Sequence, residues 1–427
     1  MSHPRKSPRP PLDVSLLVRR RPLQQALAPL LADQRGWLCA PLTRRGLSHG
    51  CELRASVWNV VARPWLGSDR PLLDDWICLG VLPQPTLHLA TLLTEWQPRR
   101  SQLVVAAAID PERLDQWHCL VWNEGRIQPV TQLDIVGPGA VRVAGPQASG
   151  LLPDQEIESG LRASRTAGAL GEDYQTLRET RVLLVGLGRG GTQLAQMLVA
   201  AGVRHLTLVD PDRLGPENLD AHVGARPSDV GRLKVVVAAQ QLIANQPDLL
   251  VQTMAEPIQS AAATRLLRER RHDVVITFCD SDLARLWVTA QCQQSWTTHL
   301  DVGTHIAREA DGGRRMVADV RLFEPGRGCA ACVPGVANLD ELLYDLAAPE
   351  GSLTRREPRE WFTERAGSLH HWNGMACGVV LETWLDYLRG SVTTSTWRRM
   401  LWRVGGVPQF VSAVVTADAG CRFCREV

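Results

Sequence analysis

No stretch of this sequence approaches the roughly 18 uninterrupted apolar residues of a membrane span, which sets aside the membrane-embedded helical classes. Charge of one sign is lacking too: 47 Lys and Arg stand against 45 Asp and Glu, a net charge of +2 over 427 residues. A balance this close to neutral leaves no global footprint for nucleic acid or for a membrane surface. Residues 1–21, rich in Arg and Pro, are the local exception, with Arg19-Arg20-Arg21 the densest cluster. They lack the apolar run of a secretory signal and read as a flexible start, so a cytoplasmic protein is the expectation. Internal repeats, coiled-coil heptads and long low-complexity tracts are absent as well. What remains, at 44% hydrophobic and 22% charged residues, is a globular composition with a large core, and the length suits two or three domains.

Against these absences, residues 181–210 are dense with signal. Arg-Val-Leu-Leu-Val-Gly-Leu-Gly-Arg-Gly-Gly from residue 181, then an amphipathic stretch, then His-Leu-Thr-Leu-Val-Asp from residue 205 spell a strand, a phosphate loop, a helix and an acid-tipped strand. Gly186, Gly188 and Gly191 have the G-x-G-x-x-G spacing, in which the first glycine turns tightly, the second lets backbone reach phosphate and the third packs helix on strand. Leu194, Met197, Leu198 and Ala201 follow helical spacing, and Gly202 stands where a C-cap glycine belongs. The helix N-terminus then faces the anion, and Asp210 lies where an acid takes a ribose hydroxyl. Taken alone, the loop would suit hydride chemistry on a dinucleotide as well as any other nucleotide.

Of the eleven cysteines, seven stand singly, as expected of reduced thiols used as small core residues. The other four form Cys329-Ala-Ala-Cys332 and Cys421-Arg-Phe-Cys424. Each knuckle offers two thiolates, and two knuckles brought together make a closed tetrahedral zinc site, structural because no coordination position is left open. The 88 residues between Cys332 and Cys421 are far too many for a zinc ribbon, so the metal would tie the carboxy-terminal tail back onto its domain. A redox dithiol is the alternative use of such pairs.

Strand-like runs at residues 102–107, 117–122 and 140–143 precede a Pro/Gly-rich stretch at 137–153, which marks a domain boundary. From Arg181 the pattern alternates strands near Arg181, His205, Leu250 and Asp273 with helices near Thr192, Val235, Ala261 and Leu283. Such alternation implies a largely parallel sheet. The domain reading is a flexible basic segment 1–21, a smaller α+β accessory domain 22–150, a linker and helix 151–180, and an α/β nucleotide-binding domain 181–427. Within the last, residues 338–372 lose the rhythm and read as an exposed loop, a candidate partner-binding element, before a helix over 372–388 returns to the core.

A dehydrogenase usually stops at one acid after its second strand. Here Asp210-Pro-Asp212 leads into Glu217-Asn218-Leu219, then Val230-Gly-Arg-Leu-Lys234, and after the fourth strand Cys279-Asp280-Ser281-Asp282 with Arg285 following. With the glycine loop before them and both cysteine knuckles behind, these motifs resemble the ThiF/MoeB/HesA family of adenylating domains, over residues 162–427. The resemblance implies a Rossmann-like fold with a mixed, largely parallel sheet and a zinc-tied C-terminus. It implies ATP and Mg²⁺ as cofactors, structural Zn²⁺, and a reaction in which the terminal glycine carboxylate of a ubiquitin-like protein attacks the α-phosphate of ATP and releases pyrophosphate. By the same resemblance Lys234 meets the α/β-phosphates, Asp280 holds Mg²⁺, Asp210 takes the ribose, and Asp212 and Asn218 position phosphates or metal. Arg165, or else Arg162, would reach the γ-phosphate of a neighbouring subunit, which calls for a homodimer. A conjugating enzyme is the expected acceptor of the acyl group. A sulfur-carrier or peptide adenylyltransferase of the same fold, or a non-catalytic scaffold derived from it, are the alternatives.

Two departures from that family are visible. Its Asn-Leu-x-Arg motif reads Asn218-Leu219-Asp220-Ala221 here, so the arginine is missing at its usual place: either His222 or Arg226 supplies a cation, or the ATP site is weakened. Residues 333–376 contain no cysteine to take the acyl group as a thioester. Cys377 starts a core-like helix, where a packing thiol is the ordinary role; a hydroxyl of Ser352, Thr354, Thr363 or Ser368, or direct transfer to another protein, are the other routes. Within residues 35–143, Ser101-Gln-Leu-Val-Val, Trp117-His118 and Leu133-Asp-Ile-Val-Gly-Pro resemble a degenerate relative of the JAB/MPN isopeptidase domain. Glu95-Trp-Gln-Pro98 stands where its metal motif would be, and His88 and His118 are isolated, so a non-catalytic binding module is expected there.

Overall fold

The computed structural model forms two compact units, residues 1–156 and 157–427. In the first it describes the strands given below with Leu23, Leu42, Leu89, Leu93, Leu103 and Val130, and in the second residues 164–308, 313–333, 368–403, 405–421 and 423–424.

The second unit is built on one eight-stranded sheet. Its strands are β1 (Arg181–Val185), β2 (His205–Val209), β3 (Leu250–Met254), β4 (Val274–Thr277), β5 (Thr298–Arg308), β6 (Arg314–Phe323), β7 (Thr396–Arg403) and β8 (Gln409–Val414). They lie in the order β3-β2-β1-β4-β5-β6-β7-β8. Strands β3 to β5 in that order are parallel, whereas β5 to β8 are antiparallel. The helices are α1 (Ser164–Leu170), α2 (Glu172–Glu179), α3 (Arg189–Ala201), α4 (Lys234–Asn245), α5 (Ala261–Arg268), α6 (Asp282–Ser295) and α7 (His370–Arg389).

The uninterrupted apolar run of β1 is explained by cover on both faces of the sheet. Val182 and Leu184 enter a core with α3, α4 and α7, while Leu183 and Val185 enter a second core with α5 and α6. Each fully buried leucine or valine contributes roughly 1.5–3 kcal/mol of transfer free energy. Helix α3 buries Leu194, Ala195, Leu198 and Val199, with Met197 and Ala201 packed at the margin. It ends where the Gly202 N–H donates to the carbonyls of Leu198 and Val199 at φ 130°, a backbone region that favours glycine.

The first unit holds two sheets. One has five strands in the order Val141–Ala144, Gln132–Val136, Asp13–Arg19, Gly50–Ala55, Thr43–Leu47. The other has six, in the order Asn59–Val61, Trp37–Pro41, Trp76–Val81, Val104–Asp110, Arg113–Asn123, Arg126–Pro129. One expectation is corrected here: Cys39 and Cys78 are not single reduced thiols but a disulfide. They sit directly opposite each other on antiparallel strands, a pairing that a separation of 39 residues hides in the sequence. The expectation of a reducing compartment loses that part of its support. His118 lies on the strand Arg113–Asn123; His88 and Glu95 to Pro98 lie outside the described residues.

Candidate nucleotide crevice and cysteine cluster

The chain leaves β1 for β2 on one side, while β4 pairs with β1 on the other, in register Val185 with Thr277. A crevice opens at the carboxyl ends of strands where the order reverses in this way, and the glycine loop fills its floor. Gly186 turns at φ 94°, and a Cβ there would lie 2.6 Å from the Phe278 carbonyl oxygen at the end of β4. At Gly191 a Cβ would lie 1.9 Å from the Gly186 carbonyl oxygen, so α3 starts directly against the turn. Gly188 faces open space, with nothing within 4 Å of its Cβ position. Gly190, which the spacing argument leaves without a role, accommodates the Phe278 ring at 2.2 Å from a Cβ position.

Asp210 at the tip of β2 is buried. Its Oδ2 accepts from the Leu187 N–H at 2.6 Å and its Oδ1 from the Asp212 N–H at 2.9 Å. Burial raises its pKa, opposed by Lys234 and by both backbone donors. The carboxylate therefore braces the phosphate loop from behind, and each oxygen keeps a second lone pair for a hydroxyl.

Lys234 is the first residue of α4, where the helix dipole disfavours a cation. Its Nζ is held by Asp212 Oδ2 at 2.8 Å, with the lysine side chain 11% and the aspartate 63% exposed. The position is set by backbone too: the Lys234 N–H donates to the Asp212 carbonyl at 3.0 Å, and Gly231 turns at φ 88° to bring residues 231–234 beside 212–214. Asn218 Oδ1 accepts from the Gly215 N–H at 3.1 Å, closing the turn that carries it. Asp280 is exposed just past β4, and Ser281 caps α6 by accepting from the Ala284 N–H at 3.2 Å. Arg165 is exposed on α1, and Arg162 lies outside the described residues. The structure thus brings Gly186, Gly188, Gly191, Asp210, Asp212 and Lys234 to one crevice floor, with Asp280 at its β4 side.

A buried ionic network beside the crevice escaped sequence reasoning. Asp301 on β5 accepts from Arg285 Nε at 2.7 Å and Nη2 at 3.0 Å, from Arg321 Nη1 at 2.9 Å and from Thr277 Oγ1 at 2.8 Å. Burial alone would raise its pKa, but Arg285 and Arg321 hold the carboxyl well below the usual carboxylate range. His299, between Thr277 Oγ1 and Thr289 Oγ1, is pulled down to about 4 by burial and is neutral. The signal available was an acid within the apolar start of β5, which a buried strand tolerates only when paired.

Cys377 is fully buried, and its Sγ donates to the Gly190 carbonyl at 3.5 Å. Burial pushes the thiol up to about 12. As placed it packs α7 onto the start of α3, the packing role expected of it, whereas a nucleophilic thiol needs exposure and a lowered pKa. In the folded protein Cys377 is expected to resist iodoacetamide that modifies it fully in denaturant, a difference read by peptide mass mapping. Of the candidate hydroxyls, Ser368 accepts from Asn373 Nδ2 at 2.6 Å, whereas Ser352, Thr354 and Thr363, with most of the 338–372 loop, lie outside the described residues.

The two knuckles meet. Sγ atoms of Cys329 and Cys332 are 3.8 Å apart, those of Cys329 and Cys421 3.6 Å, and those of Cys332 and Cys424 3.7 Å. A tetrahedron of sulfurs about 2.3 Å from a zinc ion has edges of about 3.8 Å, so the four thiols fit that metal. The Asp418 N–H points at Cys332 Sγ at 3.4 Å, the kind of donor that steadies a thiolate ligand.

Fold and crevice together define a doubly wound α/β domain with a glycine-loop crevice at the carboxyl ends of its parallel strands. The chain belongs to the ThiF family, whose model matches residues 162–395. It is 33% identical over 187 residues to the molybdopterin-synthase adenylyltransferase of Escherichia coli (strain K12), covering 43% of this chain and 70% of that protein. It is 26% identical over 247 residues to ubiquitin-like modifier-activating enzyme 5 of Oryza sativa subsp. japonica, covering 55% of this chain and 54% of that one. With the Caenorhabditis briggsae enzyme of the same name the identity is 27% over 201 residues, 44% of each chain. The chain spans about half the length of these ubiquitin-like modifier-activating enzymes. Among solved structures, E. coli MccB with ATP aligns at a TM-score of 0.46 and 17% identity, over 64% of this chain and 76% of that one. Among the described residues no helix is long and apolar enough to cross a membrane.

Proposed function

We propose that this protein is an ATP-dependent adenylating enzyme that activates the carboxy-terminal glycine of a ubiquitin-like protein and hands it to a conjugating enzyme or another acceptor. The observation that carries this reading is Lys234, a nearly buried cation at a helix start, beside a glycine loop whose Gly188 faces open space. The terminal carboxylate oxygen bonds to the α-phosphorus as the bond to the β-phosphate bridging oxygen breaks, so pyrophosphate leaves and an acyl-adenylate remains. Negative charge grows on the α-phosphoryl and the leaving group, where fixed cations and oriented amides have most effect. In this reading the loop amides and Lys234 hold the phosphates, Asp210 the ribose, Asn218 and Asp212 the turn that places them, and Asp280 is the ligand for Mg²⁺, which would neutralise phosphate charge. Exposed Arg165 serves a second copy of the chain in a homodimer. With Cys377 buried, direct transfer of the acyl group to an acceptor protein is the favoured route.

The test is ATP–pyrophosphate exchange by the purified protein with candidate ubiquitin-like proteins. Exchange that requires the partner's terminal glycine, and that survives Cys377→Ser, is the expected result; no exchange with any partner and no ATP binding would sink the reading. The 33% identity to a molybdopterin-synthase adenylyltransferase favours a second reading, in which the carboxylate belongs to a sulfur-carrier protein. It predicts exchange with that partner and no transfer to a conjugating enzyme.

The four-cysteine cluster is proposed to hold structural Zn²⁺. Titration with an organomercurial, which forms S–Hg bonds in place of S–Zn bonds, is expected to release bound zinc, measured by a colorimetric indicator, and to lower the melting temperature by on the order of ten degrees. Among the described residues the cluster joins residues 329–332 to the chain end, a tie that lapses when the metal goes.

A further inference from the structure

Several acids border the crevice: Asp210, Asp212, Asp280 and Asp282. Lys234 already shares its charge with Asp212. Ala221 offers none. His222 is buried, and burial lowers its pKa, so near neutral pH it carries no charge. Arg226 is exposed and its field falls on Asp229. Beside the Mg²⁺ and the second copy's Arg165 of the ATP reading, a cation on the loop side would offset these acids for an entering triphosphate.

Arg189 is placed to be that cation. It follows Gly188 as the first residue of α3. Its Nη1 donates to the Asp220 carbonyl at 2.9 Å and its Nη2 to the Asp220 carboxylate at 2.8 Å. The pair joins residues 31 apart in sequence. With the Val223 N–H donating to Thr192 Oγ1 at 3.4 Å, it lays residues 218–223 on the first turn of α3.

Stability alone does not explain an arginine there. A cation in a first helical turn opposes the dipole by about 0.3–1 kcal/mol, and a pair whose aspartate is 73% exposed returns no more than that, which leaves a single exposed bond to the Asp220 carbonyl as the remaining gain. An anion in front of the loop reverses the balance, because amides and guanidinium then act on one charge. A guanidinium also has N–H donors to spare after two bonds to Asp220, in a planar array suited to phosphate oxygens. The neighbouring Gly188 leaves the approach open.

We propose that Arg189 binds the nucleotide's phosphate chain, supplying from within the glycine loop the cation that position 221 lacks, with Asp220 holding its guanidinium in place. This rests on the ATP reading above and extends it to a residue of the loop itself.

Calorimetric titration of the full chain with Mg-ATP and with AMP tests it. Arg189→Ala is expected to weaken ATP binding by roughly 10- to 100-fold, the range of a lost charge-assisted bond, and AMP binding by a far smaller factor. The double variant Arg189→Ala with Ala221→Arg is expected to recover most of the ATP affinity. Asp220→Ala separates the roles: an arginine that merely tethers residues 218–223 would make this variant as weak as Arg189→Ala, whereas a phosphate ligand keeps most of its affinity without that partner. Equal loss in the two variants, or unchanged ATP binding in a folded Arg189→Ala protein, overturns the proposal. Absence of ATP binding by the unaltered chain overturns the ATP reading together with it, and so is told apart from failure of Arg189 alone.

Discussion

Gly191→Ala is expected to abolish measurable ATP binding and to lower the melting temperature by several degrees, while Gly188→Ala weakens ATP binding and leaves the melting temperature unchanged. At position 191 the new Cβ would lie 1.9 Å from the Gly186 carbonyl oxygen, a backbone atom with no rotamer to move aside. Relief requires shifting α3 away from β1, and helix and strand are joined by Leu184, Leu194 and Leu198 in one core. Overpacking of this kind costs about 1–3 kcal/mol or more. At position 188 the backbone is at φ −73°, which alanine adopts freely, and nothing lies within 4 Å of the Cβ site. The methyl group there meets only an incoming phosphate. Calorimetry for binding and a thermal melt for stability read the two effects separately; equal melting-temperature losses in both variants would refute the division of roles.

Lys234→Met is expected to reduce pyrophosphate exchange by on the order of 10²–10³-fold, the scale of removing one fixed charge from a developing oxyanion. Methionine keeps the length of the apolar stem, so the first turn of α4 retains its packing. The Asp212 left behind is 63% exposed and is solvated by water, so stability is expected to change by less than about 1 kcal/mol. A melt coincident with that of the unaltered protein, with exchange lost, places the effect in the chemistry. Full exchange by a folded Lys234→Met protein would remove Lys234 from the phosphate site.

The βαβ unit from Arg181 to Asp210 was open to reading because each of its signals is local. The apolar run of β1, the spacing of Gly186, Gly188 and Gly191, and the cap at Gly202 act within one or two turns of chain. The same holds for the two cysteine knuckles, whose ligand spacing is short even though the pairs are far apart. The Cys39–Cys78 bond, the Asp301 network and the Arg189–Asp220 pair were not readable in this way. Their partners are 39, 16 to 24 and 31 residues apart, and no periodicity links them. Cys377 was ambiguous in sequence because a free cysteine on a core-like helix suits either packing or chemistry; it lies well inside α7, and its contact with the Gly190 carbonyl comes from 187 residues away.

By itself, then, the sequence determined that residues 181–210 form a strand, a phosphate loop and a helix, and that a run of acids with Lys234 follows, because hydrophobic period, glycine spacing and capping are properties of neighbours. Only the tertiary structure decided which charges meet. It set Asp212 on Lys234, Asp220 on Arg189 and two arginines on Asp301, and it closed four thiols to within 4.8 Å. Electrostatic pairing depends on distances of a few ångströms between segments that the chain order leaves unrelated, and folding alone sets those distances.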